Sequence, residues 1–256
     1  MLSTNNSEFS SERSNRYKIA TENISDIWND DVAVMLEYLS PQEGDKVLEI
    51  GAGTGFFSFP ISKCIGNSGI LFALDPSEEQ LSVIMNKNKN NIIPILSGAE
   101  DFSLTSEVNK IWSRGAFHHV KNKTECMKCC HRYSSDNAKL FVFDIFSHNK
   151  TSKFFDSFIA RSCITGHEVS FLTKEFSKSL CFITGWKEPS FFDYSLKWTF
   201  SSELQIGQFL FYLLGIKEEY SIEEILNETR KYLTIDITEN GFILNWDMTL
   251  MVSEKA

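Results

Sequence analysis

Three glycines at alternate positions, Gly51, Gly53 and Gly55, follow the short apolar run Val47-Leu48-Glu49-Ile50, in which Glu49 is the only charge. A turn built this way lets backbone approach a ligand closely and tolerates positive φ. A helix expected over 56–63 would aim its unsatisfied N–H groups at whatever occupies the turn. Nucleotide binding is the chemistry implied, and Glu49, Gly51, Ala52, Gly53 and Gly55 are its first residues. The third glycine arrives one residue too early for the dinucleotide spacing Gly-x-Gly-x-x-Gly, and no Gly-Lys-Ser/Thr follows, which excludes an NTPase phosphate loop. Asp75 ends the next apolar run, Ile70–Leu74, twenty residues beyond Gly55. A carboxylate there can accept hydrogen bonds from both hydroxyls of a ribose. The string Asp75-Pro76-Ser77-Glu78 also reads as a helix start.

Proton-transfer chemistry points to the five histidines. His118 and His119 follow an expected strand, 110–113, and titrate near neutrality. A second place is Thr165-Gly166-His167-Glu168, a histidine beside a carboxylate after a flexible glycine. Adjacent residues do not face each other in regular structure, so spacing alone makes no dyad of that pair. His119 and His167 are ranked level as candidate bases, and His118 is placed at the acceptor. Cys126, Cys129, Cys130 and His131 look like metal ligands, but the cysteines and Tyr133 share one helical face. No second pair stands at zinc-finger spacing. The expectation is a cysteine-lined core face and no metal.

An acid two places before Gly-x-Gly-x-Gly, then an acid ending the second strand, then a strand running into Ala116-Phe117-His118-His119, resembles the class I S-adenosylmethionine-dependent methyltransferases. The resemblance spans about 44–146 and, more weakly, 191–200 and 241–251. It implies a Rossmann-like α/β sheet, mostly parallel with an antiparallel edge strand, helices on both faces and helical cap insertions. It implies S-adenosylmethionine as cofactor and S-adenosylhomocysteine as product, with the glycine turn around the amino-acid end and Glu49 near the positive charge. Asp75 and Pro76 would lie at the ribose, Ala99 and Glu100 at the adenine, and Ser113 and Arg114 at the carboxyl edge, where open α/β sheets bind ligands. The chain departs from the family at Gly98, where an aspartate is common, and at Asn109, where another is. No Asn/Asp-Pro-Pro-Tyr follows the fourth strand, so base and amide-nitrogen methylation are disfavoured. The arsenic-methylating relatives of this fold would carry a cysteine ahead of the glycines, whereas the first here is Cys64.

These residues require a frame. Near-continuous apolar runs at 47–50, 70–74, 92–96, 110–113 and 139–145, alternating with helical patterns, imply a parallel sheet covered on both faces. Residues 1–43 read as a loose polar arm (to about 16) and a lid helix from Ile24, with Tyr17 and Trp28 as acceptor-side residues. Residues 44–146 read as the cofactor core. Residues 147–256 complete it and carry cap insertions at about 147–173 and 201–238, the latter read as two helices, near 204–214 and 222–233. The 22 phenylalanines concentrate partly there. Most should pack the cap, while Phe155 and Phe158 are assigned to an apolar or aromatic small-molecule acceptor.

A net charge of −9 argues against a broad nucleic-acid footprint. Six unevenly spaced cysteines and a polar N-terminus without an apolar h-region suggest a reduced, cytoplasmic protein. No run approaches the ~20 apolar residues of a membrane span. A homodimer is compatible with all of this. The reading from another functional class is a non-catalytic partner or scaffold that binds S-adenosylmethionine or S-adenosylhomocysteine. A third, a nucleoside- or polyamine-type transferase, is disfavoured by the aromatic content and the lack of a clustered acidic patch.

Overall fold

Each apolar run flanked by turn residues becomes a strand in the computed structural model, which describes residues 11–22, 25–166 and 169–256. His167 and Glu168, and residues 1–10, lie outside the described residues. The elements in chain order begin with α1 (Ser11–Glu22), a 3-10 turn (Ser25–Trp28) and α2 (Asn29–Leu39). The alternating core follows as β1 (Lys46–Ile50), α3 (Ser58–Ile65), β2 (Ile70–Asp75), α4 (Glu78–Lys87), β3 (Ile92–Leu96) and β4 (Val108–Arg114). Next come a 3-10 turn (Phe117–His119), α5 (Lys123–Arg132) and β5 (Ser134–Asp144). The remainder is α6 (Lys150–Phe154), a π-helical turn (Phe155–Ile159), α7 (Ala160–Ser162), α8 (Lys174–Ile183), β6 (Ser190–Phe200), α9 (Glu203–Leu213), α10 (Ile222–Tyr232), β7 (Ile235–Thr238) and β8 (Gly241–Glu254).

The strands join in the order β3-β2-β1-β4-β5-β8-β6, with β7 paired to β8. The pairs β1–β2, β1–β4, β2–β3 and β4–β5 are parallel, and β5–β8 is antiparallel. The expected fold class is therefore what the chain adopts: a mostly parallel α/β sheet with an antiparallel edge. Strand order reverses between β1 and β4, so the ends of these strands form the crevice in which open sheets hold ligands.

The chain divides into two compact units. A sheet unit comprises Asp31–Asn149, Val169–Ser195 and Asp247–Ala256. Its core includes Leu48, Phe72, Ile111, Leu140 and Val142 with Cys126, Cys129 and Cys130. The cysteines thus line the core, as small apolar side chains do. An aromatic unit comprises the described parts of Met1–Asp30, Lys150–Glu168 and Leu196–Trp246. Within it Trp198 stacks on Trp246 at 4.6 Å, and Trp28 meets Trp198 edge-on at 4.9 Å.

Two expectations need correction. Residues 11–16 belong to α1 instead of a loose arm. This helix has no apolar stripe; its buried face carries arginines, and Arg16 Nη1 donates to the Ile216 carbonyl at 2.6 Å while Nη2 donates to Glu12. The second concerns 201–238: the two expected helices form as α9 and α10, and the residues after them add an unexpected strand, β7, which forms a hairpin with β8 through Glu239-Asn240.

Candidate cofactor site and acid–base cluster

The glycine turn is fastened to the end of β2 by three N–H groups. Gly51 and Ala52 both donate to the Leu74 carbonyl, at 2.8 and 3.0 Å, and Gly53 donates to Asp75 Oδ2 at 2.9 Å. The other oxygen, Oδ1, accepts the Ser77 N–H at 2.9 Å. Ser77, not Asp75, is the N-cap of α4, and its hydroxyl accepts the Gln80 N–H. The two sequence readings of Asp75 are thus reconciled: it braces the turn while Ser77 starts the helix.

Positive φ at Gly51 (+74°) and Gly55 (+88°) makes glycine the residue these positions favour. Space matters as much. A Cβ at Gly51 would overlap the Ala116 Cβ, and one at Gly55 would stand 2.7 Å from Ile84 Cγ1. At Gly53 (φ +54°) the nearest atom is Gln80 Oε1 at 3.8 Å, an ordinary contact, so backbone conformation and not crowding favours glycine there. The contact between Gly51 and Ala116 also sets the 116–119 turn against the glycine turn.

Electrostatics divide the two acids. Asp75 is 8% exposed, and burial pushes its carboxyl up to about 6 against the opposing pull of the Ser77 and Gly53 N–H groups. At neutral pH it is charged. Glu49 is 2% exposed and accepts the Ser58 hydroxyl of α3; burial, offset by that hydrogen bond and reinforced by the charge of Asp75, pushes it up to about 8. It is mostly neutral at pH 7. Glu49 is thus buried and mostly neutral, and it braces the turn through Ser58.

Farther along the crevice, the Ser113 hydroxyl donates to the Ile50 carbonyl at 3.1 Å and is fully buried. Arg114 Nε donates to Asp31 of α2 at 2.8 Å, and the guanidinium lies 5.8 Å from the Phe57 ring. Both residues expected at the cofactor thus join elements of the sheet unit. Glu100 Oε1 accepts the Lys121 and Asn122 N–H groups at 3.0 and 3.2 Å. That oxygen fixes the entry to α5. Pro76 is exposed beside Asp75.

The histidine pair divides as well. His118, 7% exposed, places Nδ1 2.6 Å from Asp144 Oδ1, and its own N–H donates to Asp144 Oδ2 at 2.9 Å. Ile145 N–H donates to Oδ1 at 2.7 Å. Burial works to raise the Asp144 carboxyl, but the His118 imidazole and these N–H donors outweigh it and hold the group below its usual range. His119, ranked level with His167 from sequence, lies with its ring 4.1 Å from that of His118. Sequence reasoning missed Asp144. The signal was available, since an acid ends an apolar strand there just as Asp75 does.

The acceptor-side residues fall in the aromatic unit. Trp28, Phe155 and Phe158 are 2%, 4% and 0% exposed and pack on Trp198 and Phe209, on Trp246, and on Phe154 and Tyr220 respectively. Their rings build that unit's core, so their expected use as acceptor contacts gives way to packing. Tyr17 is half-buried on α1. Among the described residues no group of three His, Cys, Asp or Glu side chains is placed to hold a metal ion, and no helix is long and apolar enough to cross a membrane.

Comparison with known proteins places this geometry. Residues 47–137 match the methyltransferase-domain family. Over 97 residues the chain is 41% identical to a protein-L-isoaspartate O-methyltransferase of Fervidobacterium nodosum, covering 36% of this chain and 49% of that one. Over 73 residues it is 30% identical to a 23S rRNA (uracil(1939)-C(5))-methyltransferase of Acinetobacter baumannii, covering 28% and 16%. The chain thus spans half or less of these curated relatives. Among solved structures, the phosphoethanolamine N-methyltransferase 2 of Haemonchus contortus, in complex with S-adenosyl-L-methionine, superposes with a TM-score of 0.69 at 13% identity, over 100% of this chain and 60% of that one.

The fold is that of a class I methyltransferase, and residues 47–137 match the methyltransferase-domain family. One relative's acceptor is an RNA by name, so the exclusion of nucleic acid that the acidic balance suggested does not follow from this domain.

Proposed function

We propose that the protein is an S-adenosylmethionine-dependent methyltransferase that methylates an oxygen, carbon or nitrogen of a small organic acceptor and releases S-adenosylhomocysteine. The observation that carries this reading is the Asp75 carboxylate, braced by one N–H from the glycine turn and one from the cap of α4. Each carboxylate oxygen keeps further acceptor capacity after one such bond. Two ribose hydroxyls fit that remainder, and the uncrowded face at Gly53 fits close backbone approach. The solved relative that holds S-adenosyl-L-methionine supports the same assignment.

When bound, the cofactor supplies an electrophilic methyl group on a positively charged sulfur. The protein contributes alignment and exclusion of water. The glycine turn and Asp75 hold the nucleoside, and the backbone at 98–99 borders its base. Glu49 stiffens the turn through Ser58, and a cationic sulfur brought close to it would favour its ionised form.

Calorimetric titration with S-adenosylmethionine and S-adenosylhomocysteine tests this, on wild type and on Asp75→Ala and Gly53→Arg. Micromolar affinity for both ligands is expected in wild type and should disappear in both variants. Absence of binding by folded wild-type protein would sink the reading.

A further inference from the structure

Within the sheet unit, helix α8 makes its core contacts on one side only. Ser177, Leu180 and Cys181 are buried, and the last two join the core cluster that holds the α5 cysteines. The other side is apolar and open. Phe176, Phe182 and Ile183 are 50%, 85% and 59% exposed, and Phe182 is the most exposed large apolar side chain among the described residues. With Ser179 they stand at i, i+3, i+6 and i+7. On a helix of 3.6 residues per turn that spacing is an arc about 120° wide. Single apolar side chains at a surface need no account, but a contiguous stripe marks a docking face.

We infer that this stripe is the contact between two copies of the chain, packed antiparallel about a two-fold axis at Ser179. Two features select that occupant. The first is shape. Ser179 is small and stands midway between Phe176 and the pair Phe182 and Ile183. A two-fold axis there sets Phe176 of one protomer against Phe182 and Ile183 of its partner, while the small central residue lets the helix axes approach to about 8–10 Å. The second is charge. Lys174 pairs with Asp193 and Lys178 with Glu188, both at 2.7 Å, and Glu175 also acts on Lys178. Both lysines of α8 are thus neutralised within the chain, which suits neither an anionic lipid surface nor a nucleic acid. Copies of a chain with a net charge of −9 repel one another at long range. A neutral, internally paired face is where they can meet.

The size of the stripe sets the strength of the contact. At these exposures the three large side chains present on the order of 350 Å² of apolar surface per protomer. A standard stable interface buries about 800 Å² per partner. Lys174, Glu175 and Lys178 border the stripe and supply the polar rim that such interfaces carry. The dimer therefore belongs to the weak, reversible class, with a Kd of about 10–100 µM. This inference goes beyond the methyltransferase reading and does not rest on it, so a failure to bind the cofactor leaves it standing.

Sedimentation of the full chain over about 1–500 µM tests it. The average mass is expected to rise from the 29.3 kDa of one chain toward twice that value. Phe182→Asp changes a side chain outside the core, so it should keep the wild-type melting temperature and weaken association at least about tenfold. Ser179→Glu should weaken it as well, by setting two carboxylates together on the axis. Ser179→Cys should form an intermolecular disulfide under mild oxidation, because residues on the axis come within bridging reach. Wild type, with its own six cysteines, is the control and should not cross-link at that rate. Any of three results overturns the inference: a chain that stays monomeric throughout, a dimer indifferent to both Phe182→Asp and Ser179→Glu, or a dimer in which Ser179→Cys adds no cross-link. A monomer that binds vesicles of phosphatidylcholine and phosphatidylglycerol through Phe182 would give the stripe to a lipid surface instead.

Discussion

The two ends of the molecule's chemistry use side chains in opposite ways. In the sheet unit, polar groups converge where strands stop: Asp75 ends β2, Asp144 ends β5, and each carboxylate accepts two or more N–H groups from turns beside it. In the aromatic unit, large rings converge on each other. Trp198 alone meets Trp28, Phe209 and Trp246 within 6 Å. The first pattern builds a site whose members can be named from the backbone they brace. The second builds a core in which no ring is singled out for a ligand. Residue type alone cannot separate these, and aromatic richness is therefore weak evidence for an aromatic acceptor.

The largest effects should come from the partners of buried charge and from the ring cluster. Asp31 is fully buried and Arg114 neutralises it. Arg114→Ala would take the guanidinium from that buried carboxylate, and about 3–5 kcal/mol of stability should be lost by denaturant titration. Trp198→Ala should cost a similar ~3–5 kcal/mol. If the two units differ as described, this variant keeps the wild-type affinity for S-adenosylmethionine at temperatures where it stays folded. Lost affinity in a folded Trp198→Ala protein would break the contrast.

Next in size is Gly51→Ala. The added methyl overlaps Ala116 at a position of positive φ. Overpacking of this kind costs about 1–3 kcal/mol, and cofactor affinity should fall by more than stability does, because the turn is what shifts. A Gly53→Ala control, also at positive φ but with its nearest neighbour at 3.8 Å, should melt closer to wild type while still binding poorly. Equal affinity in wild type and both variants, read by calorimetry, would mean that the turn holds nothing.

The same contrast explains what was legible before any coordinates. Strands β1, β2 and β3 and helix α8 follow from apolar runs and turn residues, which are local. Gly51, Gly53, Gly55 and Asp75 were legible because their spacing is a local fact as well. The Arg114–Asp31 and His118–Asp144 pairs join residues 83 and 26 positions apart, and only the parallel register of the sheet brings the second pair together. Helix α1 escaped notice because arginine hydrogen bonds to the segment near Ile216, and not an apolar stripe, hold its buried face. Strand β7 should have been found: Ile235-Asp236-Ile237-Thr238 followed by Asn240-Gly241 is a hairpin signature.

The prediction with the sharpest pH signature belongs to Glu49. Its carboxyl is raised to about 8 in the folded chain from the usual 4.5. Between those values the unfolded chain has released this proton and the folded chain has kept it. Folding therefore binds a proton there, and stability must fall as pH rises from 4.5 to 8, then level off. Glu49→Gln keeps the shape of the neutral acid and removes the titration. Its melting temperature should match wild type near pH 5 and exceed it increasingly up to about pH 8. Asp75 follows the same sign over a lower window, since its carboxyl rises only to about 6. The variant also examines the cofactor. A cation brought close to Glu49 would favour its ionised form, so S-adenosylmethionine should bind with proton release near pH 7 while uncharged-sulfur S-adenosylhomocysteine should not. Calorimetry in buffers of different ionisation enthalpy reads that proton directly. Equal proton release for both ligands, or release that persists in Glu49→Gln, would mean that Glu49 never senses the sulfur's charge and braces the turn in every state.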